Sequence, residues 1–180
     1  MAGGHACRRW HVNGSAQAIG QLGVIITPTL GAYTVEAEYC DHAAGGYSTY
    51  GVGCTGSNGL VPSHGSASAP EIGQLVTHQV TDLRAFAPAV MFLGFSKTTW
   101  NGLPLPLSLG LIGADPACNV LAGGFLQLPM PVDGAGSGSL TFRVTGSASA
   151  IGMHTFTQVI AADLFLPHPV PLVVSNGSTC

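Results

Sequence analysis

Five cysteines, Cys7, Cys40, Cys54, Cys118 and Cys180, are the most reactive side chains in this sequence. In a chain with one lysine and abundant glycine, serine and threonine, such a set suits an oxidising compartment, where thiols pair. The odd count leaves one thiol over, and spacing alone leaves the pairing open. A metal reading competes for the first two: His5-x-Cys7 and Cys40-x-His42 would form a Cys₂His₂ set if the two segments lay side by side, and tetrahedral zinc accepts those ligands. The one-residue spacing within each pair is shorter than zinc sites use. Disulfide chemistry is therefore expected there, and no metal or other cofactor. The other histidines, His11, His64, His78, His154 and His168, are scattered singly and read as surface or core residues.

Catalytic patterns are sparse. Gly51-Val-Gly-Cys-Thr-Gly56 matches G-x-G-x-x-G, with Glu71 downstream, but a dinucleotide site needs a helix to follow so that its N-terminus can hold the pyrophosphate. Ser-Asn-Gly-Leu-Val-Pro follows instead, and the motif reads as a loop. Glu36 and Glu38 share one face of a strand, as an acid/base pair would, yet adjacent carboxylates on a strand are commonly a solvated face. Lys97, the lone lysine, would serve an isopeptide bond only if buried beside a carboxyl; placed near a turn, it reads as exposed. The hydrolase patterns G-x-S-x-G, S-x-x-K and H-E-x-x-H do not occur. No enzyme activity is expected. For ligand binding the best candidates are Trp100 and Asn101, ahead of a proline-rich loop. An exposed indole beside an amide would stack on a sugar and hydrogen-bond its hydroxyls; a Trp capping the core beneath Leu103-Pro-Leu-Pro-Leu107 explains it equally.

The composition narrows what can position these groups. Lys and Arg number five and Asp and Glu eight, so charged residues make up 7% of the 180 positions against about 25% in ordinary domains. Clustered cations for phosphate neutralisation are missing, since only Arg8 and Arg9 adjoin, which excludes a nucleic-acid partner. A membrane span needs about 20 apolar residues in a row, and the charge-free run from Trp10 to Val35 is broken by polar residues, glycines and a proline. High hydrophobicity with low net charge argues against disorder. The opening Met1–Arg9 lacks the apolar core of a secretory signal.

Helical periodicity is nearly absent, whereas alternation is plentiful. Ala32–Tyr39 and Ser139–Thr145 alternate cleanly, the second with Leu140, Phe142 and Val144 inward. Further strands are expected over residues 20–27, 72–81, 89–96, 124–128, 155–161 and 171–175. Turns are expected at Asn13-Gly14, Asn58-Gly59, Asn101-Gly102, Asp133-Gly134 and Asn176-Gly177. Short strands punctuated by turns predict an all-β antiparallel sandwich, with the jelly roll as one variant. Gly14-Ser-Ala-Gln-Ala-Ile-Gly-Gln-Leu22 echoes Gly65–Leu75, and Gly146–Gly152 repeats the front half; unequal spacing excludes a solenoid, and the echo reads as recurrent lead-ins to strands. Asn13-Gly-Ser15 and Asn176-Gly-Ser178 match the glycosylation acceptor pattern.

The run Tyr50-Gly-Val-Gly-Cys-Thr-Gly-Ser-Asn-Gly-Leu60 resembles the opening of an uncharacterised domain found at the C-termini of secreted proteins from environmental bacteria. Pro70-Glu-Ile-Gly73, Leu93-Gly-Phe-Ser96, Trp100-Asn-Gly-Leu-Pro-Leu-Pro-Leu107, Phe156-Thr-Gln158 and Val174-Ser-Asn-Gly177 fit the same pattern. The resemblance covers about residues 47–177. It implies export, a β-rich fold and a Cys54–Cys118 bridge, and it brings no catalytic residues. Elimination then pairs Cys7 with Cys40 and leaves Cys180 as a free thiol or a link between subunits.

Two domains are expected: an N-terminal β extension over residues 1–46, packed on or donated to a neighbouring subunit, and a β-sandwich over 47–180. Scarce charge weakens the repulsion between copies, and many apolar residues in a small domain leave patches for neighbours to cover. The expected function is a secreted structural subunit that assembles with copies of itself into a filament or surface layer. The alternative is a monomeric module that binds polysaccharide through Trp100 and Asn101.

Overall fold

In the computed structural model the described residues are 46–68, 70, 73–144 and 153–180, together with three short strands nearer the start: β1 (Trp10–Val12), β2 (Ser15–Ala16) and β3 (Val35–Ala37). The chain divides into two compact units, residues 1–43 and 44–180. In the first, β1 lies between β2 and β3, both antiparallel to it, and register pairs Val12 with Ser15 and with Val35. The alternating run Ala32–Tyr39 is thus a strand over Val35–Ala37. Cys7, Cys40, His5, His42 and the proposed turn at Asn13-Gly14 lie outside the described residues.

The second unit is all-β and antiparallel. Its strands in chain order are β4 (Ser48–Tyr50), β5 (Ser63–Ser66), β6 (Leu75–Thr81), β7 (Ala89–Gly94), β8 (Thr99–Trp100), β9 (Leu103–Pro104), β10 (Leu107–Ser108), β11 (Asn119–Val120), β12 (Leu126–Met130), β13 (Gly138–Arg143), β14 (Phe156–Ala162) and β15 (Leu172–Thr179). The helical content among described residues is one 3₁₀ turn, Leu109–Ile112. Five strands form one sheet in the order β12-β7-β14-β15-β4, and three form another, β13-β6-β5.

The three-stranded sheet follows the period-2 rule directly. Val76, His78 and Val80 of β6 are buried while Leu75, Gln79 and Thr81 are exposed, and Leu140 and Phe142 of β13 turn inward as their alternation predicts. Facing them from the five-stranded sheet are Ala89 and Met91 of β7, Met130 of β12, Val159 and Ala161 of β14 and Val173 of β15, all buried in one core. Burying a Val, Leu or Met side chain contributes roughly 1.5–3 kcal/mol, so this layer contributes strongly to the unit's stability.

β7 is apolar on both faces, and β14 is apolar apart from Thr157 on one face and Gln158 on the other. Part of the second face, carrying Tyr50, Phe92 and Gln158, is covered by residues 95–121. Within that cover, β8 and β9 form a hairpin around Asn101 (φ 49°) and Gly102 (φ 81°), the double left-handed turn that its Asn-Gly pair selects. Gln158 is fully buried and fastens the cover to the sheet: its Oε1 accepts from the Leu121 N–H at 2.8 Å, and its Nε2 donates to the Asn119 and Ser175 carbonyls at 2.9 and 2.8 Å. The Tyr50 hydroxyl adds a bond to the Leu121 carbonyl at 3.0 Å. The Gly-rich run 51–56 is a loop along β15, with the Cys54 N–H donating to the Val174 carbonyl.

One expected turn is corrected. Asn176-Gly177 lies inside β15, which runs on to Thr179 instead of ending near Ser175. Both residues have strand-specific work. A side chain at Gly177 would run into the Tyr50 ring on the neighbouring strand. The Asn176 carboxamide accepts from the His64 N–H at 2.8 Å and donates to the His64 carbonyl at 2.9 Å, standing in for a ladder partner between the two sheets. Tied in this way, the Asn176 amide is not presented as a glycosylation acceptor.

Candidate functional site

Where the cover ends, the second face of the five-stranded sheet lies open as a groove of about 820 Å³. Its floor and walls are Val90 and Phe92 of β7, Ile160 and Ala162 of β14, Leu172 of β15 and Pro129 of β12, and every lining side chain is apolar. The sequence builds it by breaking polar alternation: in Ala89-Val-Met-Phe92, Ala89 and Met91 enter the core while Val90 and Phe92 line the groove. Phe86 stands at the rim, 75% exposed, with a backbone φ of 57° and its ring against Gly134. A left-handed conformation is costly for a bulky residue and clusters at functional positions. Here it holds an aromatic ring in solvent at the mouth of an apolar groove.

A cluster of two buried histidines and Tyr47 lies elsewhere, between the two sheets. The His64 and His78 rings stack at 5.5 Å, and His78 stacks in turn on Phe142 at 5.4 Å. The Gln79 carbonyl, 3.0 Å from His64 Nδ1, can only accept, so Nδ1 carries the proton. Nε2 then accepts from the Thr157 hydroxyl at 2.9 Å, and Thr157 Oγ1 accepts from Ser178 at 2.6 Å. Burial lowers the pKa of His64, against an opposing effect of the Gln79 carbonyl. Burial, and next the neighbouring His64, push His78 down to about 4. Its Nδ1 is buried without a hydrogen-bond partner. The Tyr47 hydroxyl, also buried, lies by Ser178 and Ser66 without a well-formed bond, and its pKa is raised chiefly by burial.

Thr157 and His64 thus form a nucleophile–base contact, but both are 1% exposed. A substrate cannot reach them without opening the sandwich. The cluster is a neutral, hydrogen-bonded insert in the core. No group of three or more potential metal ligands occurs among the described residues.

The other sequence candidates fall in separate places. Cys54 and Cys118 are bonded, with Cα atoms 4.9 Å apart, and anchor the cover to the loop along β15. Trp100 is half-buried, packs against the core and meets Phe92 edge-on at 5.9 Å; Asn101 is exposed in the hairpin turn beside it. The indole therefore caps the core, as one reading of it proposed. Lys97 lies 5.8 Å above the Tyr50 and Phe156 rings, a cation–π position. Cys180 carries a free thiol that is half-buried, and its backbone pairs with Thr155 in both directions. Burial raises its pKa, with Thr155 opposing.

Sequence reasoning missed the groove, Phe86 and the buried histidine pair. His78 had a signal, since it occupies an inward position between Val76 and Val80; His64 had none. Comparison with known proteins finds no matching family model, curated protein or solved structure. The disulfide is characteristic of a non-cytoplasmic setting, and no helix among the described residues is long and apolar enough to cross a membrane.

Proposed function

We propose that the chain is a structural subunit that packs against copies of itself outside the cell, in a filament or surface layer. The observation that carries this reading is the open groove, lined wholly by apolar side chains, in a chain with 7% charged residues. Leaving such a surface in water is unfavourable by roughly 25 cal/mol per Å², and scarce charge removes the repulsion that would keep copies apart. The bridged cysteines favour an extracellular setting.

Electron microscopy of native material tests this directly. Filaments or sheets of regular repeat support the proposal. Dispersed single particles that are retarded on a polysaccharide matrix would replace it with the carbohydrate-binding reading, for which Trp100 and Asn101 remain the candidate contacts.

A further inference from the structure

We infer that Asn101 is a site of spontaneous covalent modification: the Gly102 backbone nitrogen attacks its carboxamide and converts it, through a succinimide, to aspartate and isoaspartate. Among the described Asn-Gly pairs, Asn58-Gly59, Asn101-Gly102 and Asn176-Gly177, the fold leaves this one open to the reaction.

The chemistry is intramolecular and needs only water. The Gly102 nitrogen gives its proton to hydroxide, a bond forms from it to Asn101 Cγ, and the Cγ–Nδ2 bond breaks. Nδ2 takes a proton from water and leaves as ammonia. Water then opens the five-membered imide at either carbonyl. Opening at Cγ gives aspartate; opening at the main-chain carbonyl leaves the chain running through the side chain, as isoaspartate. A nucleophile and a carbonyl carbon held on adjacent residues gain the advantage of proximity. Glycine, with no Cβ, leaves the approach unhindered. Sequence grants this to every Asn-Gly pair. Ring closure also needs a carboxamide that can turn and a glycine nitrogen that is not engaged.

Two of the pairs are locked. Asn58 Nδ2 donates to the Asp82 carbonyl and its Oδ1 accepts from the Leu60 N–H, both at 3.0 Å. The attacking nitrogen there is occupied too, since the Gly59 N–H donates to the Gly56 carbonyl at 3.0 Å. Asn176 holds the His64 backbone through both ends of its carboxamide, and Gly177 sits within β15, paired with Gln158 and Tyr50.

Asn101 has none of these restraints. Both it and Gly102 are exposed, and its carboxamide makes no hydrogen bond among the described residues. The Gly102 N–H donates to no backbone carbonyl there, and a Cβ placed on Gly102 would touch nothing. The supporting hairpin is slight. Its strands β8 and β9 have two residues each, and Pro104, opposite Thr99, has no N–H to donate. Few backbone bonds and no packing at the tip make local opening inexpensive, so Asn101 can rotate until Gly102 N meets Cγ.

The product matters to its surroundings. It places one negative charge in residues 98–114, which carry none. Isoaspartate also adds a carbon to the main chain at a turn whose double left-handed geometry sets the hairpin. The amide that the carbohydrate-binding reading assigns to a sugar contact is lost.

The test incubates the oxidised full chain at pH 8 in water enriched in heavy oxygen and follows each Asn-Gly peptide by mass spectrometry. A parallel sample is held in urea. Expected in the native protein is conversion at Asn101 at least tenfold faster than at Asn58 or Asn176, with heavy oxygen taken up and isoaspartate present. In urea the three sites should react at similar rates, which assigns the native ranking to the fold. Native conversion at Asn58 or Asn176 that matches Asn101 would overturn the inference. So would an Asn101 that stays intact while the urea sample reacts. A tenfold lead for Asn101 that persists in urea would place the preference in local sequence and overturn the structural assignment. Aspartate at position 101 without isoaspartate would overturn the succinimide route.

Discussion

Acidification from pH 7 should unfold this protein through the histidines between its sheets. In the unfolded chain His78 titrates near the ordinary histidine value of 6.5; in the folded protein burial and His64 hold it at about 4. Between those values the unfolded chain binds a proton that the native protein refuses. Stability is therefore full above about pH 6.5 and falls as the pH drops towards 4. The difference of about 2.5 pKa units corresponds to about 3 kcal/mol once pH 4 is reached, and about 2 kcal/mol at pH 5. His64, also lowered by burial, acts in the same direction. Urea titrations at pH 7 and pH 5 would read this as a lower midpoint at pH 5 with an unchanged slope. His78→Phe keeps the stacking position between His64 and Phe142 and removes the unpartnered Nδ1. It should be at least as stable as wild type at pH 5 and lose less on acidification. A wild-type midpoint that is flat between pH 7 and pH 5, or a His78→Phe protein with the full wild-type fall, would refute the assignment of acid sensitivity to this pair.

The Cys54–Cys118 bridge closes a loop with a sequence separation of 64, so replacing both cysteines with serine should lower unfolding free energy by about 4 kcal/mol on the chain-entropy model, measured by urea denaturation. Gln158→Leu should cost about 3 kcal/mol, because the Leu121 N–H and the Asn119 and Ser175 carbonyls lose their partner; thermal melting checks it, and a change below 1 °C in Tm would show that the cover is held by other contacts. The Cys180 thiol, half-buried with a raised pKa, should react with a disulfide reagent at pH 8 at least tenfold more slowly in the native protein than in urea. Equal rates would show that the thiol is open enough to link subunits.

Local alternation was legible wherever one face of a strand meets water. Leu140 and Phe142 of β13 turn inward as their spacing requires, because Ser139, Thr141 and Arg143 mark the wet face. The same rule fails for Ala89-Val-Met-Phe-Leu93, where both faces are apolar and periodicity cannot say which faces the core and which forms a groove. Asn176-Gly177 misled for a different reason. The pair has turn chemistry, yet the close approach of Tyr50 and the hydrogen bonds to His64 are long-range demands, and they hold the pair in a strand. The cover's two-residue strands are too short to leave a period in the sequence; only the Asn101-Gly102 turn between two of them was readable. The Cys54–Cys118 bridge came through the family resemblance and is present. The groove itself is a product of where residues 95–121 stop, which is a tertiary fact with no local signature.

Association of the oxidised protein as a function of concentration tests the central claim most directly. Sedimentation velocity across a hundredfold dilution should show species well above the 18.2 kDa of one chain, persisting at the lowest concentration. A single 18.2 kDa boundary at every concentration, with the Cys54–Cys118 bridge intact, would contradict it.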